Sequence, residues 1–411
     1  MPRPMMADEL HRYSEMIVRG CIAFRRGDTL LIRAGLAHRE LAAAITGAAY
    51  RAGALGVEVE YEDGLVYAER IRHASEKALG RRTSWQRERM RALALEHVAV
   101  VQISGEHELD VVAGLPPERV AEDSKRLAAD GAMARIRGEG RLRGTICAWP
   151  TDEWAARVFP ELDPERGKRR LAKDLLSFCR VGPKDPPGHT GWTAHLATLR
   201  GRATRLTKLD LTAVHIRDRG TDLRVALGPH SLWRGGGEQD RWGRQIAMNV
   251  PTEENFISPD ARATEGTFRC SRPRSFGGRV FEELSGEFRG GRLVRLKAKR
   301  ESDRDWLARY LAAIPNADRL GEIALVDNAS RIGRTGRIYF NGLLDENAAA
   351  HIAFGSGFAK TRSVPLGRRR YGVNRSRTHI DVMIGTDELE AEGVRRSGKR
   401  VALVRDGVWQ I

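Results

Sequence analysis

Cysteine is scarce in these 411 residues: the four present, Cys21, Cys147, Cys179 and Cys270, lie far apart and never at Cys-x-x-Cys spacing. That pattern excludes a disulfide framework and a thiolate zinc site, and it reads as small buried residues. Long apolar runs are missing too. No segment approaches the roughly 20 apolar residues that crossing a bilayer takes, and the opening Met1-Pro2-Arg3-Pro4-Met5-Met6 is not the apolar run of a signal peptide. No membrane partner and a cytoplasmic location are therefore expected.

Several nucleotide and catalytic motifs are also absent. No Gly-x-Gly-x-x-Gly and no Gly-Lys-Ser/Thr follows a strand, so a dinucleotide or P-loop reading has no motif behind it. The Gly-x-Ser-x-Gly elbow and the His-Glu-x-x-His helix are missing as well. Negative charge is the minority: 54 acidic against 70 basic residues give +16. The excess is mostly arginine spread along the chain, and its tightest clusters, Arg368-Arg369-Arg370 and Arg395-Arg396, have one aromatic nearby, Tyr371. A single-strand-binding surface interleaves several stacking rings with its charge, so no nucleic-acid partner is expected.

What is present suits a folded chain with more than one core, because hydrophobic residues make up 41 % and single cores stop growing well below this length. Thr29 to Ala34 reads as a strand, and His38 to Gly53 carries Leu41, Ile45 and Ala49 at helical spacing. Val57 to Tyr61, His97 to Ile103 and Thr145 to Trp149 read as further strands with helices between them, which implies an open α/β sheet. A helical, basic stretch from about Pro164 to Lys208 includes the breakers Pro183, Pro186 and Pro187. Beyond it the texture becomes short strands and glycine-rich turns, such as Ala213 to Ile216, Leu223 to Leu227, Gly235-Gly236-Gly237 and Gly286 to Lys299. The expected fold is α/β (α+β overall): an N-terminal open α/β sheet domain, residues 1–205, followed by a β-rich C-terminal metal-binding domain, residues 206–411.

Acids and histidines concentrate in four segments of the second half. In His379-Ile380-Asp381, strand positions i and i+2 share a face, so imidazole and carboxylate converge as a divalent cation requires. Asp345-Glu346-Asn347 through His351 reads as a helix start with acids in its first turn, Asn347 and His351 sharing a face and Glu346 off it. Glu322 sits at the mouth of the apolar strand Leu320 to Val326, where something must neutralise it. Glu253 and Glu254 are adjacent on extended chain ahead of Pro259 and face opposite ways, so only one is expected to face inward. With the other architectures missing, metal-dependent hydrolysis is the economical reading.

Together and in this order, Asn249-Val250-Pro251-Thr252-Glu253-Glu254, Gly321 to Val326, Leu344 to Asn347 with His351-Ile352-Ala353, and Gly372 to Asp381 resemble the hallmark blocks of the thermophilic aminopeptidase family, the aminopeptidase T and aminopeptidase S type metallopeptidases. Pro150 to Ala155 and Gly220 to Leu223 also look like family segments, so the resemblance spans nearly the whole chain. It implies metal ligands at Glu254, Glu322, His351, His379 and Asp381, holding two divalent ions (zinc, cobalt, manganese or magnesium). It also implies a peptide or amino-acid amide substrate and a homodimer. Glu254 or Glu322 would be the general base, with Glu253 an alternative to Glu254, and Asp345, Glu346 and Asn347 would stand behind the ligands.

One position departs from the family's pattern. Where the resemblance implies a tyrosine, seven residues after the ligand histidine, this chain has Phe358, which cannot donate a hydrogen bond. Loss of one oxyanion donor lowers a rate by roughly 10²–10³, unless Tyr371 takes its place. Two rival readings follow: a weakened metal-binding homologue, and a mononuclear iron ring-cleaving dioxygenase using His351, His379 and Asp381, with which the wider superfamily shares a likeness. Glu254 and Glu322 argue against the second, since two more carboxylates are superfluous around one iron.

Overall fold

The structure, a computed structural model, describes residues 4–105, 109–128, 143–363 and 372–411. Tyr371 and the Arg368-Arg369-Arg370 cluster lie outside the described residues.

The apolar runs of the first half, joined at one edge by Asn249–Val250 from the second, become a parallel sheet in the order Gly56–Glu62, Thr29–Gly35, Ala99–Ser104, Arg143–Ala148 and Asn249–Val250. Between its first two strands in sequence runs the helix Arg39–Arg51, which buries Leu41, Ala42, Ile45, Ala48 and Ala49 as the helical spacing predicts. Local side chains start the helices that follow. The Asp63 carboxylate accepts from the Val66 amide, the Thr151 hydroxyl from Trp154 and the Asp163 carboxylate from Arg166, each satisfying one of the orphan amides of a helix's first turn. The basic stretch is two helices, Pro164–Phe178 and Thr190–Lys208, with the three prolines in the break between them. The second of these serves two cores: Trp192 and Leu196 join the one around the parallel sheet, whereas Ala203 and Leu206 join the one below.

The second half is antiparallel. Eight strands run in the order Arg292–Lys297, Ser285–Arg289, Thr264–Arg269, Thr221–Ala226, Leu211–Asp218, Glu390–Arg395, Arg400–Arg405 and Val408–Trp409. A separate four-stranded sheet runs Glu254–Ile257, Leu320–Val326, His351–Gly355 and His379–Met383. One face of this smaller sheet, with Ile257, Ile323, Leu325, Ile352, Phe354, Ile380 and Val382, shares a buried core with Val214, Ile216, Leu223, Val225, Phe268 and Phe288 of the larger one. Each such fully buried side chain is worth about 1.5–3 kcal/mol, enough to fix the pleat and hence which residues face the other way.

Two local expectations are corrected here. His351 does not lie on a helix that begins at Asp345: a short helix, Gly342–Glu346, capped by Asn341, ends before it, and His351 opens a strand. The helix propensity of Ala348, Ala349 and Ala350 is overridden by the pairing of His351–Gly355 with strands on both sides. Glu322 is not at a strand mouth either, but within a strand whose residues are all buried.

A candidate metal centre on the four-stranded sheet

Register brings the candidate ligands together. Glu254 pairs with Val326, His351 with Ala324, Glu322 with Ala353, Asp381 with Ala353 across the other edge, and His379 with Gly355. Since residues paired across strands share a face and side chains alternate along each strand, Glu254, Glu322, His351, His379 and Asp381 all leave the face opposite the apolar core. Small residues lie among them: Ala324, Ala353 and Gly355 leave room above the sheet that larger side chains would fill.

The polar atoms converge. His351 Nε2 lies 3.3 Å from Glu254 Oε2, and His379 Nε2 lies 3.1 Å from Glu322 Oε2 and 3.0 Å from Asp381 Oδ1. Both imidazoles are oriented from behind: His351 Nδ1 donates to the Ala349 carbonyl at 3.2 Å and His379 Nδ1 to the Ser356 carbonyl at 2.8 Å. An Nδ1 held this way presents Nε2 to the cluster, which is how a protein fixes a metal-binding tautomer.

Two donor sets result, Glu254 with Glu322 and His351, and Glu322 with His379 and Asp381, each with ligand atoms within 4.8 Å of one another. Glu322 belongs to both. All three carboxylates are buried, and buried acids need a cation. Among the described residues the nearest fixed one is Arg274, whose Nη2 is 3.8 Å from Asp381 Oδ2, outside hydrogen-bond reach. An oxygen and imidazole donor set of this kind suits borderline-to-hard divalent ions, so the residues fit the ions that the sequence implies.

Protonation in the metal-free cluster follows the same charges. Burial alone would lower His351, but its hydrogen bond to Glu254 and the charges of Glu254, Asp381 and Glu322 outweigh it and raise its pKa to about 10. His379 is likewise raised well above the ordinary histidine value, burial being outweighed by Asp381 and Glu322. Burial pushes Glu322 up, whereas for Asp381 the charge of His379 and its hydrogen bond overcome burial and hold the carboxyl below its usual range.

Both adjacent glutamates turn out to be buried, Glu253 at 5 % exposure and Glu254 at 9 %, so the expectation that only one faces inward is corrected. They do face opposite ways. Glu253 turns from the cluster to a partly buried partner, Arg180 Nη1 at 2.6 Å, with His195 Nε2 at 3.4 Å. Nothing in the local sequence signals this, because Arg180 and His195 arrive from the helical region. Asn347 holds the backbone there, its Oδ1 accepting from the Glu253 amide at 2.7 Å.

Glu346 and Arg274 are the residues sequence reasoning undervalued. Glu346 ends the short helix, and burial together with the charges of nearby Asp381 and Glu254 raises its pKa well above the ordinary glutamate value. Its polar contacts are two long ones, with Asn249 Nδ2 and Asn347 Nδ2, both at 3.4 Å. Arg274 is buried with Nε and Nη1 unbonded, and no spacing in Arg272-Pro273-Arg274 could have revealed it. Asp345 looks away, accepting the Tyr339 and Asn341 amides at 2.8 and 3.1 Å. Phe358 does border the site: its ring centroid is 5.2 Å from that of His379 and 5.3 Å from that of Phe256.

Comparison with known proteins finds similarity along nearly the whole chain. The family described as thermophilic metalloprotease (M29) matches residues 6–409. Aminopeptidase T of Thermus aquaticus is 34 % identical over 409 residues, 98 % of this chain and 99 % of that one. Aminopeptidase PepS of Streptococcus thermophilus is 30 % identical, with all of both chains covered. The solved structure of AmpT from Thermus thermophilus superposes with a TM-score of 0.87 at 32 % identity, over 98 % of this chain and 100 % of that one. A 2,5-dihydroxypyridine dioxygenase from Pseudomonas putida KT2440 shares the fold more distantly, with a TM-score of 0.51 at 13 % identity over 98 % of this chain and 96 % of that one.

Proposed function

The chain belongs to the thermophilic metalloprotease (M29) family and is a metallo-aminopeptidase; from that premise we propose that it removes N-terminal residues from peptides or amino-acid amides through a dinuclear divalent-metal centre. Glu254, Glu322, His351, His379 and Asp381 would hold the ions, zinc, cobalt, manganese or magnesium. The observation that carries the two-ion reading is Glu322, the one carboxylate common to both donor sets. We read the protein as a cytoplasmic homodimer, as the family resemblance implies.

When bound, the ions supply Lewis-acid polarisation of the scissile carbonyl and lower the pKa of the attacking water. The chain's own part is to aim both Nε2 atoms through backbone carbonyls, to keep the acids out of bulk water, and to move a proton. Glu254 and Glu322 can both do the last, and so can Glu346, whose carboxyl is raised above its ordinary value by burial and by the charges of Asp381 and Glu254. The iron dioxygenase reading has less behind it, because His351 and His379 fall in different donor sets.

Hydrolysis of free-amine and N-acetylated dipeptides by chelator-stripped protein, with single metals restored, tests the reading. Cleavage confined to free-amine substrates and to non-redox metals is the expected result; oxygen consumption with ferrous iron and no cleavage would overturn it. In the same assay Glu254→Gln should lose metal by well over the roughly 10–100-fold that removing a supporting group costs, whereas Glu253→Gln keeps it. A carboxylate variant that keeps its metal and loses about 10²–10⁴ in turnover identifies the base.

A further inference from the structure

Exposure around the metal centre is lopsided. His351, Glu322, Asp381 and Glu254 have side chains exposed by 11 % or less, whereas His379 is exposed by 28 %. The centre therefore opens beside His379, and among the described residues Phe358, 40 % exposed, stands at that opening. The backbone there is fixed: the Phe358 amide donates to Ser258 Oγ at 2.7 Å, and the Phe358 carbonyl accepts from the Thr361 hydroxyl at 2.7 Å. Behind Phe358 lies Phe256, on the same face of the sheet as Glu254, with the two rings edge to face at 62°. A large apolar ring held in water by its own backbone, and backed by a second ring, is a surface that gains by being covered.

Resting on the aminopeptidase reading above, we propose that Phe358 and Phe256 form an apolar wall that takes a large aliphatic or aromatic side chain next to the scissile bond, making this enzyme selective for such residues. The side chain belongs either to the N-terminal residue or to the one after it. Both offer the same chemistry to the ring, and covering it would strip water from the side of the site where His379 is exposed.

The test compares kcat/KM for Leu-Ala and Phe-Ala with Ala-Ala, and for Ala-Leu and Ala-Phe with Ala-Ala, in the metal-loaded full chain. Wild type should favour the large residue in one series by about 10-fold or more, and Phe358→Ala should remove most of that ratio, the scale on which apolar pockets discriminate. Phe358→Leu, which keeps apolar surface without the ring, should retain part of it and serves as the variant to use if the alanine form fails to fold by circular dichroism. The series that responds names the residue that sits on the wall. Cleavage by wild type with no preference, or a preference untouched in both variants, overturns the wall alone. Absence of cleavage of any dipeptide by wild type with any metal overturns the aminopeptidase reading itself, and the wall with it.

Discussion

Glu254 and His351 meet across the middle of the four-stranded sheet, Oε2 to Nε2 at 3.3 Å, although the strand Leu320–Val326 runs between theirs. They do so on the face that Ala324, directly paired with His351, leaves low. Ala324 is fully buried. Replacing it with leucine drives three heavy atoms into the space where the two side chains converge. Overpacking of this kind costs typically 1–3 kcal/mol, so the sheet should survive while the donor geometry does not. Ala324→Leu is expected to retain its circular dichroism spectrum and lose metal by at least tenfold in equilibrium dialysis. Unchanged metal affinity would mean that the ligands do not depend on the small residue.

Protons should leave when metal enters. His351 and His379 are both raised in the metal-free cluster, His351 to about 10, and metal takes only the neutral imidazole. Binding at pH 8 is therefore expected to release protons, that of His351 among them, readable from calorimetry in buffers of different ionisation enthalpy. The sign for stability follows. A raised histidine contributes fully below its unfolded value near 6.5 and ceases to contribute as pH climbs through about 10. Chelator-stripped protein should accordingly lose thermal stability between those pH values, while apparent metal affinity rises over the same window. Asp381 acts at the other end, its lowered pKa contributing stability that is lost only in acid. Proton release near zero would show that the imidazoles are already neutral.

Much of this was legible in the chain because strong local patterns and the buried pleat agreed. The runs at Thr29, Val57 and His97 became neighbouring strands, and His379-Ile380-Asp381 projected its two ligands to one side because a strand must. What escaped was tertiary. The three alanines before His351 favour a helix until two strands compete for the segment that follows. The Glu253–Glu254 pair reads as one inward and one outward acid because the partly buried Arg180 that receives Glu253 comes from a distant helix end. Arg274 and the shared position of Glu322 have no one-dimensional signal, since both depend on which strands become neighbours.

Phe358 offers the most direct probe of rate. Its ring lies against that of His379, at the position where the family resemblance implies a tyrosine. A hydroxyl added at the far end of that ring extends from the wall of the site without demanding a new rotamer, since Phe358 is partly open to water. If the ring points that hydroxyl at the scissile carbonyl, it becomes a donor to charge developing in the transition state and not to the ground-state peptide. Phe358→Tyr should therefore raise kcat by roughly 10²-fold and leave KM nearly unchanged. A variant with unaltered kcat would place the ring end away from the reacting carbonyl, and a variant that lowers KM alone would mark the hydroxyl as a substrate contact.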